Sequence, residues 1–184
     1  SMDANTTGSN NVAVGKGSLG VNTTASGNTA MGNNSLSANT TAAENVAVGK
    51  EAMKLTTTGA SNTAVGTQSL YTNTTGANNV AVGLGALFAN TTAADNVAVG
   101  TSALQTNTTG CQNTAVGNQA LKNNTTGCFN GAVSFEALER NTTGNYNYAL
   151  GWNSLRTNTT GSLNIGIGGN SLYNNTGSSN TSIG

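Results

Sequence analysis

The sequence predicts an all-β protein, a parallel β-roll or β-solenoid of 17-residue coils, and three observations carry that prediction. A glycine recurs every 17 residues, at Gly15, Gly32, Gly49, Gly66, Gly83, Gly100 and Gly117, and the register continues through Ser134, Gly151 and Gly168. A large apolar residue lies four positions after each, from Leu19, Leu36 and Met53 to Leu155 and Leu172. An asparagine lies four positions before each, from Asn11 and Asn28 to Asn147 and Asn164. Only the last step shortens to 16, between Asn164 and Asn180. A disordered tract has no reason to hold such a register, and a helical-hairpin repeat needs about 33 residues or more.

Each element of the coil follows in order. In Asn11-Val12-Ala13-Val14-Gly15 the two valines share one face and the alanine takes the other, the period-2 signature of a strand. The glycine is a corner with positive φ, which glycine adopts most cheaply. Ser134 is the exception, and Gly131 before it suggests a coil that bends differently. Ser18-Leu19 and its equivalents read as a second short strand. The Asn-Thr-Thr stretch that follows reads as a closing turn, because these side chains bond their own backbone. Its fourth position varies between Gly8, Gly59, Gly76 and Ala25, Ala42, Ala93, so it demands a small residue and not a left-handed one. The asparagine column stacks as an amide ladder. At about 4.8 Å per strand, ten coils make a rod of roughly 50 Å.

The interior is expected to hold the valine before the corner (Val14, Met31, Val48, Val65, Val82) and the leucine after it. That is a thin core, since fixing one residue costs about 1–2 kcal/mol and burying a Val or Leu returns about 1.5–3 kcal/mol. The column Ala13, Ala30, Ala47, Ala64, Ala81, Ala98, Ala115, Ala132 and Ala149 then faces outward and reads as an oligomer interface.

Composition narrows the function. Charged residues make up only 7% of the 184, with six basic and six acidic, so neither nucleic acid nor an anionic membrane is expected as partner. No apolar run approaches the roughly 18 residues of a membrane span. Ser1-Met2 looks like a cloning scar, residues 1–4 are lead-in, and 5–184 are repeat. The repeat begins and ends without caps, which points to a segment of a longer fibre with further domains.

The pentapeptide Asn-(Val/Thr)-Ala-Val-Gly resembles the head repeat of trimeric autotransporter adhesins, a left-handed parallel β-roll that assembles as a homotrimer. The longer unit, Asn-Thr-Thr-Gly-x-x-Asn-Thr-Ala-Val-Gly-x-x-Ala-Leu, is similar to repeats of phage tail-fibre-type proteins, some of which carry a self-cleaving chaperone domain. The resemblance covers essentially residues 5–184. It implies an elongated homotrimeric shaft on a virion tail fibre or an extracellular cell surface.

Catalysis is not expected. Histidine is absent, and Glu44 and Asp95 share a coil position but lie three coils apart, about 14 Å. Glu136 and Glu139 read as lying on one strand and pointing to opposite faces. The calcium-binding nonapeptide is missing, so neither metal nor cofactor is expected. Ice binding by the Thr rows is the alternative function, although adjacent pairs such as Thr6-Thr7 give a single file. Five of the eight aromatics cluster at Phe129, Phe135, Tyr146, Tyr148 and Trp152. They are candidates for binding a host-surface glycan, or plugs in a locally wider coil. Cys111 and Cys128 stack one period apart and read as free thiols, with a bridge the alternative in oxidising conditions.

Overall fold

A computed structural model describes all 184 residues as one β-solenoid without helices. Eleven three-residue strands form a single parallel sheet in chain order, from β1 (Val12–Val14) and β2 (Thr29–Met31) onward. They continue as β3 (Val46–Val48), β4 (Thr63–Val65), β5 (Val80–Val82), β6 (Val97–Val99), β7 (Thr114–Val116), β8 (Gly131–Val133), β9 (Tyr148–Leu150), β10 (Ile165–Ile167) and β11 (Thr181–Ile183). Val12 pairs with Thr29, one 17-residue period away, and each later strand repeats that register until Ile165 pairs with Thr181. Of 121 backbone hydrogen bonds only 20 lie within strands, so the loops also stack coil on coil. The amide of Thr57, for example, donates to the carbonyl of Thr74 at 3.1 Å.

The corner is as expected: Gly32, Gly49 and Gly66 have φ of 141°, 136° and 134°. Ser134 keeps the same geometry, with φ 122° and the usual amide bond to the Val116 carbonyl, so its coil does not bend differently. The segment after the corner is a turn and not a second strand. Leu19, Leu36 and Leu70 sit there at φ 47°, 48° and 51°, a left-handed conformation that costs a β-carbon-bearing residue about 1–2 kcal/mol. Full burial of each leucine offsets that cost. The fourth loop position is not left-handed, and a Cβ at Gly59 or Gly76 would collide with the next coil's carbonyl oxygen. Smallness is the demand there.

The strand faces are the reverse of the sequence expectation. Ala30, Ala47, Ala64, Ala81, Ala98, Ala115 and Ala132 are wholly buried, Ala149 nearly so, and Ala13 packs partly buried against the same core. The valines point out: Val14 is 54% exposed and Met31 43%. The physical reason is the narrowness of a 17-residue coil. Its interior admits one leucine, the alanine, and a second small column running from Ser18 and Ser35 to Ala52 and Ser69. A valine turned inward would overfill it, and overpacking is itself destabilising. The alanines therefore cannot form a contact between chains.

The rest of the interior is polar and paired. Each asparagine of the expected ladder accepts from the next: Asn62 Nδ2 donates to Asn45 Oδ1 at 3.2 Å, and the Asn62 amide reaches the same oxygen at 2.9 Å. A second buried ladder, unforeseen in the sequence, uses the asparagine of Asn-Thr-Thr. Asn39 Nδ2 donates to Asn22 Oδ1 at 3.1 Å, and Asn90 to Asn73 at 2.9 Å. Thr56 interrupts it, and its buried Oγ1 has no partner.

Candidate functional surface

Turning the valines outward creates the main surface feature of the molecule. Along eleven strands the sheet presents two adjacent outward columns, one apolar throughout and one in which valine alternates irregularly with threonine before Gly131, Tyr148 and Ile165. One runs from Val12 and Thr29 to Tyr148, Ile165 and Thr181, the other from Val14 and Met31 to Leu150, Ile167 and Ile183. At about 4.8 Å per strand and two columns' width, the face measures about 50 Å by 13 Å, or roughly 650 Å². Monomeric proteins rarely leave a contiguous apolar patch much above a few hundred Å² uncovered, and such patches mark interaction sites.

Two border columns flank this face. On the entry side stand Asn10, Gly27, Glu44, Ser61, Asn78, Asp95, Gln112, Phe129, Tyr146 and Leu163. On the corner side stand Lys16, Asn33, Lys50, Thr67, Leu84, Thr101, Asn118, Phe135, Trp152 and Gly169. The five candidate aromatics fall on these columns and on β9, and all are exposed, from 36% at Phe129 to 52% at Tyr148 and Trp152. None fills the interior. Phe129 and Tyr146 stack with centroids 4.8 Å apart and planes 1° from parallel, so one face of each ring is taken up by the other. Tyr148 covers Gly131, where a Cβ would come within 2.9 Å of its ring. Beside that pair a shallow hollow of about 280 Å³ opens among Gly131, Val133, Tyr148, Leu150, Ile165 and Ile167.

The charged groups build stacks along the rod. Glu136 and Glu139 do not point apart; they converge on Arg156, whose Nε lies 2.9 Å and 3.0 Å from their carboxylates. The period-2 argument failed because these residues occupy a turn. A hydrogen bond with the Tyr173 hydroxyl, followed by the charges of Glu139 and Glu136, raises the pKa of the Arg156 guanidinium. A second stack joins Glu51 to Lys54 at 3.0 Å and continues through Lys54 over the Tyr71 ring to Phe88. A hydrogen bond from Gln68, then one from Lys54, lowers the pKa of Glu51.

Cys111 and Cys128 are both free, with their sulfurs 2.9 Å apart, and the hydrogen bond with Cys128 followed by burial pushes the Cys111 thiol up. In the threonine rows the first residue of each pair from Thr6 to Thr142 is engaged: Thr74 Oγ1, for example, donates to the Thr91 carbonyl at 3.0 Å. The second, as at Thr75 and Thr92, is exposed in a single file. No group of three His, Cys, Asp or Glu is placed to hold a metal ion, and no helix is long and apolar enough to cross a membrane. No family model, curated protein or solved structure matches the chain.

The outward face and the second ladder were both legible in principle. The alanine column admits only Ala, Gly166 and Ser182, whereas the Val12 column admits anything from Gly131 to Tyr148. Tolerance of size marks a surface, and uniform smallness marks a packed interior.

Proposed function

We propose that the protein is a structural shaft of a tail fibre or surface adhesin, a homotrimer in which the sheet face of each chain turns toward a common axis. The observation that carries this reading is the apolar sheet face, with Val14, Met31, Leu150 and Ile167 all exposed in the single chain. Its roughly 650 Å² approaches the ~800 Å² that each partner contributes to a standard stable interface. A threefold arrangement lets each chain cover two neighbours, and the resemblance of the repeat to trimeric adhesin heads favours three over two. The uniform asparagine and leucine ladders supply stiffness along the rod and no reactive group. Attachment to a host-surface glycan is the rival use of the exposed aromatics, excluded wherever a second chain covers those rings.

Light scattering tests the assembly. We expect a solution mass of three times the 18.2 kDa chain at micromolar concentration. A folded monomer under those conditions would overturn the reading.

A further inference from the structure

The border columns contain a pattern that the apolar face lacks. Beside β3, Glu44 stands on the entry side and Lys50 on the corner side, both exposed. Beside β8 and β9 the entry side carries Phe129 and Tyr146 and the corner side carries Phe135 and Trp152, all exposed. Elsewhere the borders are polar or small apart from Lys16 and Asp95, which have no opposite charge beside the same strand, and the exposed Leu84 and Leu163. When chains pack side by side around an axis in parallel, the entry border of one meets the corner border of the next. Residues beside the same strand then meet only if the chains are in register.

We propose that these positions are the register key of self-assembly: Glu44 of one chain pairs with Lys50 of a second copy, and the Phe129–Tyr146 stack packs on the second copy's Phe135 and Trp152. The proposal rests on the assembly argued above and adds its alignment. From β1 to β7 the two central columns repeat as Val, Thr or Met, so a stagger of one coil would cost that region little. The borders penalise it. One offset sets Glu44 against Thr67 and Gln112 against Phe135; the other sets Ser61 against Lys50 and Phe129 against Asn118. Around a closed ring the offsets must sum to zero, so any staggered arrangement mismatches at least two seams. An antiparallel pairing separates the charged and aromatic keys altogether. Charges arranged this way act chiefly by suppressing wrong pairings.

Disulfide trapping tests the register, on a Cys111→Ser, Cys128→Ser background that leaves no native thiols. Glu44→Cys combined with Lys50→Cys is expected to cross-link chains into covalent oligomers at least ten times faster than Glu44→Cys with Thr67→Cys or with Asn33→Cys. Trimers that cross-link equally fast in an offset pair, or that fail to link at 44–50, overturn the register and leave the trimer standing. A monomer by light scattering overturns the trimer and the register with it. As a second readout, glycan-array binding by the assembled protein that is lost on Trp152→Ala would show the ring open to solvent, and would overturn the aromatic seam.

Discussion

From β1 to β7 the sheet face is a column of Val and Met beside a column of Val and Thr, with largely polar borders; at β8 and β9 it widens to four columns, with rings on both borders and a hollow between them that reaches β10. The backbone barely registers the change. The alanine and leucine interior, the amide ladder and the corner angle of about 134° at Gly100 and Gly151 continue through both regions. Internal positions are fixed by the narrow coil, which is the same everywhere. Outward positions answer only to what covers them. On the proposed assembly, the region where outward residues depart from the repeat is where a second copy would be recognised, and the region where they stay uniform is where length is built.

The most disruptive test of that division is a charge in the uniform region. Val82→Glu places a carboxylate on a half-buried outward position of β5. In the proposed trimer three such carboxylates approach one axis, where each unpaired charge costs several kcal/mol. Light scattering should show the trimer lost, with circular dichroism reporting whether the coil survives it. Wild-type mass would remove the sheet face from the interface. Ala81 would not serve for this purpose, because its side chain lies inside the coil and a charge there breaks the fold directly.

A smaller effect, opposite in sign, is expected at the one fault in the uniform region. Thr56 replaces the asparagine of the second ladder and leaves a buried hydroxyl without a partner. Thr56→Asn offers an amide to Asn39 Oδ1 below and an acceptor to Asn73 Nδ2 above. Relieving a buried unsatisfied group and adding a net hydrogen bond should stabilise by about 1–2 kcal/mol, read by denaturant unfolding. Unchanged or lower stability would mean that the unpaired Thr56 hydroxyl carries no cost and that the second ladder adds none of the rod's stability at this coil.

How the sequence reported the two regions explains what was legible. The 17-residue period, the corner glycines and the Asn11-to-Asn164 ladder follow from spacing alone, because stacking brings equal positions together. Alternation in Val12-Ala13-Val14 correctly separated two faces and could not say which was inside. The assumption that larger residues face inward holds for ordinary sheets and fails in a coil too narrow for valine. Leu19 and Glu136 misled for a related reason. Both sit in turns with positive φ, where strand alternation has no meaning, and no glycine announces the conformation.

The finest test sits at the start of the aromatic region. Nine of the ten corners are glycine, from Gly15 to Gly168, and the tenth is Ser134 with φ 122°. A non-glycine residue held in so sparsely populated a conformation costs of order 1–3 kcal/mol. The Ser134 hydroxyl makes no hydrogen bond in return, while its backbone amide holds the Val116 carbonyl at 2.8 Å as the glycines do. Ser134→Gly should therefore stabilise, by about 1 kcal/mol once the greater freedom of glycine in the unfolded chain is set against the strain relieved. Thermal unfolding of matched samples reads this directly. A loss of stability accompanied by weaker assembly would place the serine in the seam beside Phe135, and the recognition region would then begin at the corner itself.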